Sequence, residues 1–279
     1  MSLEDDDVER LWLREQIEDE EILELFSDDP EGLKAAVRNL VHRARDDAAI
    51  ESRLIDTLET AVEEGNDDSQ ASVWIAVVLG EARSQRALGL LIRCLGNDDD
   101  EVLQDAAGVA LLRVGTPAVR LVMEAVEEEM GRQFNRMAYR FLGDTGVVED
   151  EALHRWLREF LEERLNEERR TPPDESALEE LAAAGARLGH RNLLGSLKEV
   201  LARRYRGCNA VLEDAISMLE DNEAEVPFVP TIPPWEERYG WLFEGDVGPS
   251  RLERLRGAAG PAEASGSGAE TLFDVPEDE

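Results

Sequence analysis

A chain of 279 residues is long enough for one large or two small domains, and its 42% apolar content can supply a real core. Sixty-four acids against thirty bases give a net charge of −34, which repels phosphate backbones and anionic lipid headgroups and so argues against nucleic acid and membrane as partners. Aromatic residues are scarce at 5%, and Leu, Ala and Val carry the apolar fraction, a mixture suited to helix packing rather than to sheets.

The bases are skewed as well, since Lys34 and Lys198 are the only lysines. A GC-rich genome favours Arg codons, and a salt-filled cytoplasm favours acids over lysine because concentrated ions screen self-repulsion. The pattern points to a halophilic source, in which much of the acidity is solvent adaptation. The start, "MSLEDDDVER", is the opposite of a basic leader. The longest apolar run, "WIAVVLG" at 74–80, is too short to span a bilayer. A soluble, cytoplasmic protein is expected. Cys94 and Cys208 lie far apart with no CxxC spacing and read as small buried hydrophobes.

Apolar residues recur at helical spacing almost throughout. An opening helix is predicted over 6–26, broken by "SDDPEG", where Pro30 suits a turn or a first helical position. Leu33, Val37, Leu40 and Val41 mark the next helix, and Ile50, Leu54, Ile55, Leu58 and Val62 the one after. Residues 1–66 are read as N-terminal helices and a first hairpin.

Over 67–222 the chain begins to repeat itself. Four apolar–Gly steps, at Gly80, Gly115, Gly143 and Gly189, each follow a run of small and apolar residues and precede a second apolar helix. A glycine just past a helical run is the expected left-handed cap, and alanine-rich helices let a partner approach closely. Helix pairs are predicted over 33–62, 69–95, 101–130, 133–165 and 176–205, closed by a helix over 209–219. One pair cannot bury its own apolar face, so neighbours must stack. The predicted fold is all-α, an α-solenoid of about five antiparallel helix hairpins, with a single globular bundle as the structural rival. Residues 223–260, rich in Pro and Trp, are read as a segment that folds back over the last hairpins, with a short helix over 249–260. Residues 261–279 read as a disordered acidic tail.

The stretch "NDDDEVLQDAAGVALLRVGTPAVRLVMEAV", 97–126, resembles the short HEAT-like repeat named after the phycobilisome lyases. Glu101-Val102, Ala106-Ala107, Ala110-Leu111, Gly115 and Pro117-Ala118-Val119 carry the match, whereas Leu103 stands where an arginine usually follows the valine. The resemblance extends loosely over 69–219. It implies the HEAT/ARM-like superhelix and says little about activity.

Candidate chemistry is sparse. The run Asp98-Asp99-Asp100-Glu101 lacks the alternating ligands and central Gly of a calcium loop, so it reads as a helix start in which Asp98 caps and Glu101 completes a capping box. His42, His154 and His190 form no metal-ligand spacing, and His190 reads as a partly charged ring suited to a helix end. No Walker loop or nucleophile elbow occurs. No cofactor and no metal is expected.

Two groups offer partner contacts. Arg203, Arg204 and Arg206 form a basic cluster at a helix end, and Trp235, Tyr239, Trp241 and Phe243 supply interface-type aromatics. In the tail, Leu272 and Phe273 sit inside acids in the manner of a short docking motif. These residues suggest a non-catalytic HEAT-repeat scaffold that binds another protein, itself a monomer or weak homo-oligomer. The alternative implied by the resemblance is a bilin-lyase-like enzyme or enzyme subunit, whose chromophore propionates would need the 203–206 cluster.

Overall fold

Aspartate side chains start five of the described helices. Asp29 accepts hydrogen bonds from the amides of Glu31 and Gly32, with Pro30 at the first helical position. Asp47 accepts from Ala49, Asp100 from Val102 and Leu103, Asp150 from Ala152 and Leu153, and Asp174 from Ala177. Each satisfies amides that a first turn leaves orphaned and sets negative charge at the positive end of the dipole. In the 98–101 run the cap is therefore Asp100 rather than Asp98, and Glu101 opens the helix instead of completing a capping box.

The computed structural model describes residues 20–26, 29–64, 70–97, 100–128, 130–146, 150–168, 174–203, 209–221 and 231–243. Among the described residues there is no strand, so the fold is all-α. The helices are α1 (Glu20–Leu23), α2 (Pro30–Asp46), α3 (Ala48–Glu64), α4 (Ala71–Glu81), α5 (Leu88–Leu95), α6 (Glu101–Val114) and α7 (Thr116–Glu127). They continue as α8 (Arg132–Asp144), α9 (Glu151–Glu168), α10 (Glu175–Arg187), α11 (Leu194–Ala202), α12 (Asn209–Glu220) and α13 (Trp235–Arg238). From α2 to α12 they stand where the apolar period predicts them. The predicted opening helix differs: its described part is one short turn, α1, followed by a 3-10 turn at Glu24–Phe26. No described helix is long and apolar enough to cross a membrane.

Packing links α2 to α4, α4 to α6, α6 to α8, α8 to α10 and α10 to α12. A second series joins α3 to α5, α5 to α7 and α7 to α9. The core follows these contacts in two clusters. One extends from Ile22 to Leu188 and takes in Trp235 and Tyr239; the other gathers Leu178, Leu197, Val200, Leu212 and their neighbours around α10, α11 and α12.

Two of the four repeated glycines act otherwise than expected. Gly115 (φ 85°) and Gly189 (φ 67°) adopt left-handed backbone. Gly80 and Gly143 lie inside α4 and α8, and the chain turns later, through Arg83 (φ 57°) and Gly146 (φ 64°). Their role is contact. A Cβ on Gly80 would lie 2.5 Å from Ala110 Cα of α6, and one on Gly143 would lie 2.7 Å from Ala184 Cα of α10. The same glycine-on-alanine joint thus recurs between α4 and α6 and between α8 and α10.

Helix α4 has no polar face. Every residue from Ala71 to Gly80 is buried. A helix apolar all round must be covered on all sides. Helices α2, α3 and α6 and the 3-10 turn at Glu24–Phe26 pack against it. What covers Trp74 comes from the far end of the sequence.

Candidate functional site

Residues 231–243, "TIPPWEERYGWLF", form a strap across the helices. Pro234 precedes the single turn of α13, and a 3-10 turn follows at Gly240–Phe243. The Trp235 ring meets Trp74 edge-on with centroids 5.9 Å apart, and Tyr239 meets it at 6.3 Å in the same T-shaped manner. Such pairs add about 0.5–1.5 kcal/mol beyond area burial. Under the strap a cavity of only about 10 Å³ remains, lined by Val77, Gly80, Ala110, Pro233 and Trp235 among others.

Polar contacts fix the strap's register. The Arg113 guanidinium of α6 donates to the Pro233 carbonyl at 3.0 Å and pairs with Glu81 at 3.2 Å. Arg238 grips Asp105 of α6 with two hydrogen bonds, Nε to Oδ2 at 2.9 Å and Nη2 to Oδ1 at 2.6 Å. The Tyr239 hydroxyl donates to the same Oδ2 at 2.9 Å. Arg38 of α2 reaches Glu236 at 3.4 Å on the exposed side. Burial alone would lower the Arg238 pKa, yet the hydrogen bonds and charge of Asp105 hold it above its ordinary value. Burial, with the Asp105 charge added, raises the Tyr239 phenol well above its usual range. Both side chains are therefore fixed as donors at neutral pH.

From this anchor a seam of charge continues onto α8 and α10. Asp144 pairs with Arg187, and also lies in the fields of Arg140 and Arg238. Burial raises the Asp144 carboxyl, and these arginines only partly offset it. Glu180 is raised by burial too, against the pull of Arg140 and Arg187. Among the described residues no cluster of three or more His, Cys, Asp or Glu is placed to hold a metal.

The sequence-predicted residues divide sharply. Trp235 is 8% exposed and Tyr239 is fully buried, so neither is an exposed hook; both belong to the chain's own core. Trp241 is half-buried against the same core. The strap's destination is also corrected: it lies on α4 and α6 rather than on the last hairpins, because Trp74 and Asp105 provide the apolar platform and the anionic socket. Arg203 is exposed at the end of α11. Arg204, Arg206, Cys208, Leu272 and Phe273, the predicted helix over 249–260 and the tail lie outside the described residues, as does the Phe243 side chain. The strap's receptors carried no local sign of their partner: Trp74 sits in an apolar run, and Asp105 and Arg113 are, with Glu101, the few charges of the otherwise largely apolar α6.

His154 and His190, unconnected in sequence, meet edge-on with centroids 5.6 Å apart. His190 is 3% exposed, and burial, with Arg158 and His154 nearby, lowers its pKa to about 3. It is a neutral ring, not the charged helix-end group expected. Cys94 is fully buried, as expected, and burial pushes its thiol up to about 12.

No protein-family model, curated protein or solved structure matches this chain.

Proposed function

We propose that this protein is a non-catalytic helical-repeat scaffold of the HEAT-like type, and that its α4–α6 groove recognises an aromatic, arginine-bearing segment of a partner protein. The observation that carries the reading is the strap, which displays the groove's binding chemistry in cis. An extended Pro-Pro lead is gripped by Arg113, Trp235 packs on Trp74, and a buried Arg–Tyr pair plugs into Asp105. Rigid aromatic anchors ringed by charge-assisted bonds are what hot spots consist of. The stepwise contacts from α2 through α12 and the repeated glycine joints favour a solenoid built of helix pairs.

The test uses the full chain with its strap loosened by Arg238→Ala and Tyr239→Ala. A labelled peptide of residues 231–243 binds this chain saturably, binds wild type far less because the strap competes, and fails to bind when Asp105→Ala is added. Absence of saturable binding to a loosened chain that still melts cooperatively overturns the reading.

The net charge of −34 is read as adaptation to concentrated salt. Helicity by circular dichroism then rises strongly with KCl toward molar levels, and a flat response contradicts it.

A further inference from the structure

Buried polar atoms almost always find partners, so an unpartnered one asks for an explanation. Three such atoms gather at the junction of α9 with the turn after α10. They are Nδ1 of His154 and both ring nitrogens of His190. They lie beside a notch of about 20 Å³ that opens to solvent and is lined by Arg158, Glu162, His190, Arg191, Asn192 and Leu193.

Two guanidiniums line this notch, and an acidic surface pocket of Glu159, Glu162, Glu163 and Glu167 adjoins it through Glu162. Neither Arg158 nor Arg191 makes an ion pair among the described residues, and Glu162 is the one carboxylate in the lining. Arg158 lies near enough to both histidines to disfavour their protonation. A neutral imidazole still offers one N–H donor, and each guanidinium offers a planar fork of donors matched to oxyanions. His190 is almost wholly buried while Arg158 and Arg191 are exposed, and the three line the same notch from different elements.

We infer that the His190–Arg158–Arg191 notch binds a phosphate group. The phosphate sits at the mouth of the notch and accepts from the two guanidiniums, while the notch behind it, with room for about one water, leaves the buried His190 ring N–H to reach the anion through a bridging water. The site is separate from the α4–α6 groove and does not depend on it. Inorganic phosphate and a phosphomonoester offer the same oxygens, and they are distinguished by size at the opening.

The chain has three histidines, so the imidazole signals of His190 can be resolved by NMR in the full-length protein. The titrants are inorganic phosphate, phosphoserine and, at equal ionic strength, KCl. Phosphate shifts the His190 signals saturably, while chloride alone gives little change. Phosphoserine matching phosphate marks the site as open to esters, and phosphoserine failing restricts it to the free ion.

Arg158→Gln and Arg191→Gln each weaken phosphate binding by about tenfold or more, the loss of one charge-assisted contact. Glu162→Gln strengthens binding by removing repulsion. His190→Gln, which retains an N–H donor, weakens it only in part. No saturable shift, equal response to chloride, or equal affinity in wild type and a folded Arg158→Gln chain overturns the inference.

Discussion

Arg238 and Asp105 stand 133 residues apart in sequence and meet as a two-bond ion pair with side chains only 9% and 12% exposed. Removing one partner of a buried pair strands the other's charge, at a cost of about 3–5 kcal/mol. Asp105→Ala and Arg238→Ala are each expected to lower the unfolding free energy by that order, or to free the strap while the helices stay folded. The double variant should cost little more than either alone. Urea denaturation monitored by tryptophan fluorescence reads all three, and strictly additive losses would show the two residues to be uncoupled.

The glycine joints predict opposite outcomes at different glycines. Gly80→Ala and Gly143→Ala put a methyl against helix backbone and should cost about 1–3 kcal/mol. At Gly89 and Gly195 a Cβ meets nothing within 4 Å, and Ala there should gain about 0.4–1 kcal/mol by restricting the unfolded chain. Melting temperatures order the four variants. Any gain at Gly80 contradicts the close approach.

His190 makes stability depend on pH. Unfolded, its ring takes up a proton near 6.5; folded, only near about 3. The stability of the neutral buried ring is therefore complete above 6.5 and is lost as pH falls from there toward 3, by about 1.4 kcal/mol per pH unit. Asp144 and Glu180, raised by burial, act in the opposite direction, since protonating them relieves the fold. Comparing wild type with His190→Gln isolates the histidine: in phosphate-free buffer the wild type should lose about 2 kcal/mol more between pH 7 and pH 5. Parallel pH curves would refute this.

Cys94 should be silent in the native protein. With no exposure and a thiol raised to about 12, it offers almost no thiolate at pH 8. In a Cys208→Ser chain, labelling by a disulfide reagent should follow the unfolding curve point for point. Prompt labelling of the folded chain would show that α5 opens.

Helix positions were legible because the signals are local: apolar residues three and four apart, an aspartate before a helix, Pro30 at a first turn. The choice of Asp100 over Asp98 was not, since neighbouring acids offer equivalent side chains and only backbone geometry selects one. Gly80 and Gly143 read as caps because sequence does not distinguish a glycine ending a helix from one admitting a neighbour. The aromatic strap was visible as a break in composition. Its landing place was not, because the receptor is assembled from α4 and α6 and identified by Trp74 and Asp105 together. The pairing of His154 with His190 escaped for the same reason, being a contact between distant elements.

The strap also sets an order of events during synthesis. Trp74 leaves the ribosome, in the most oily segment of the chain, 161 residues (235 − 74) before Trp235. A nascent chain therefore carries this indole without its aromatic cover until the strap has been made, and the fully buried α4 is sealed only then.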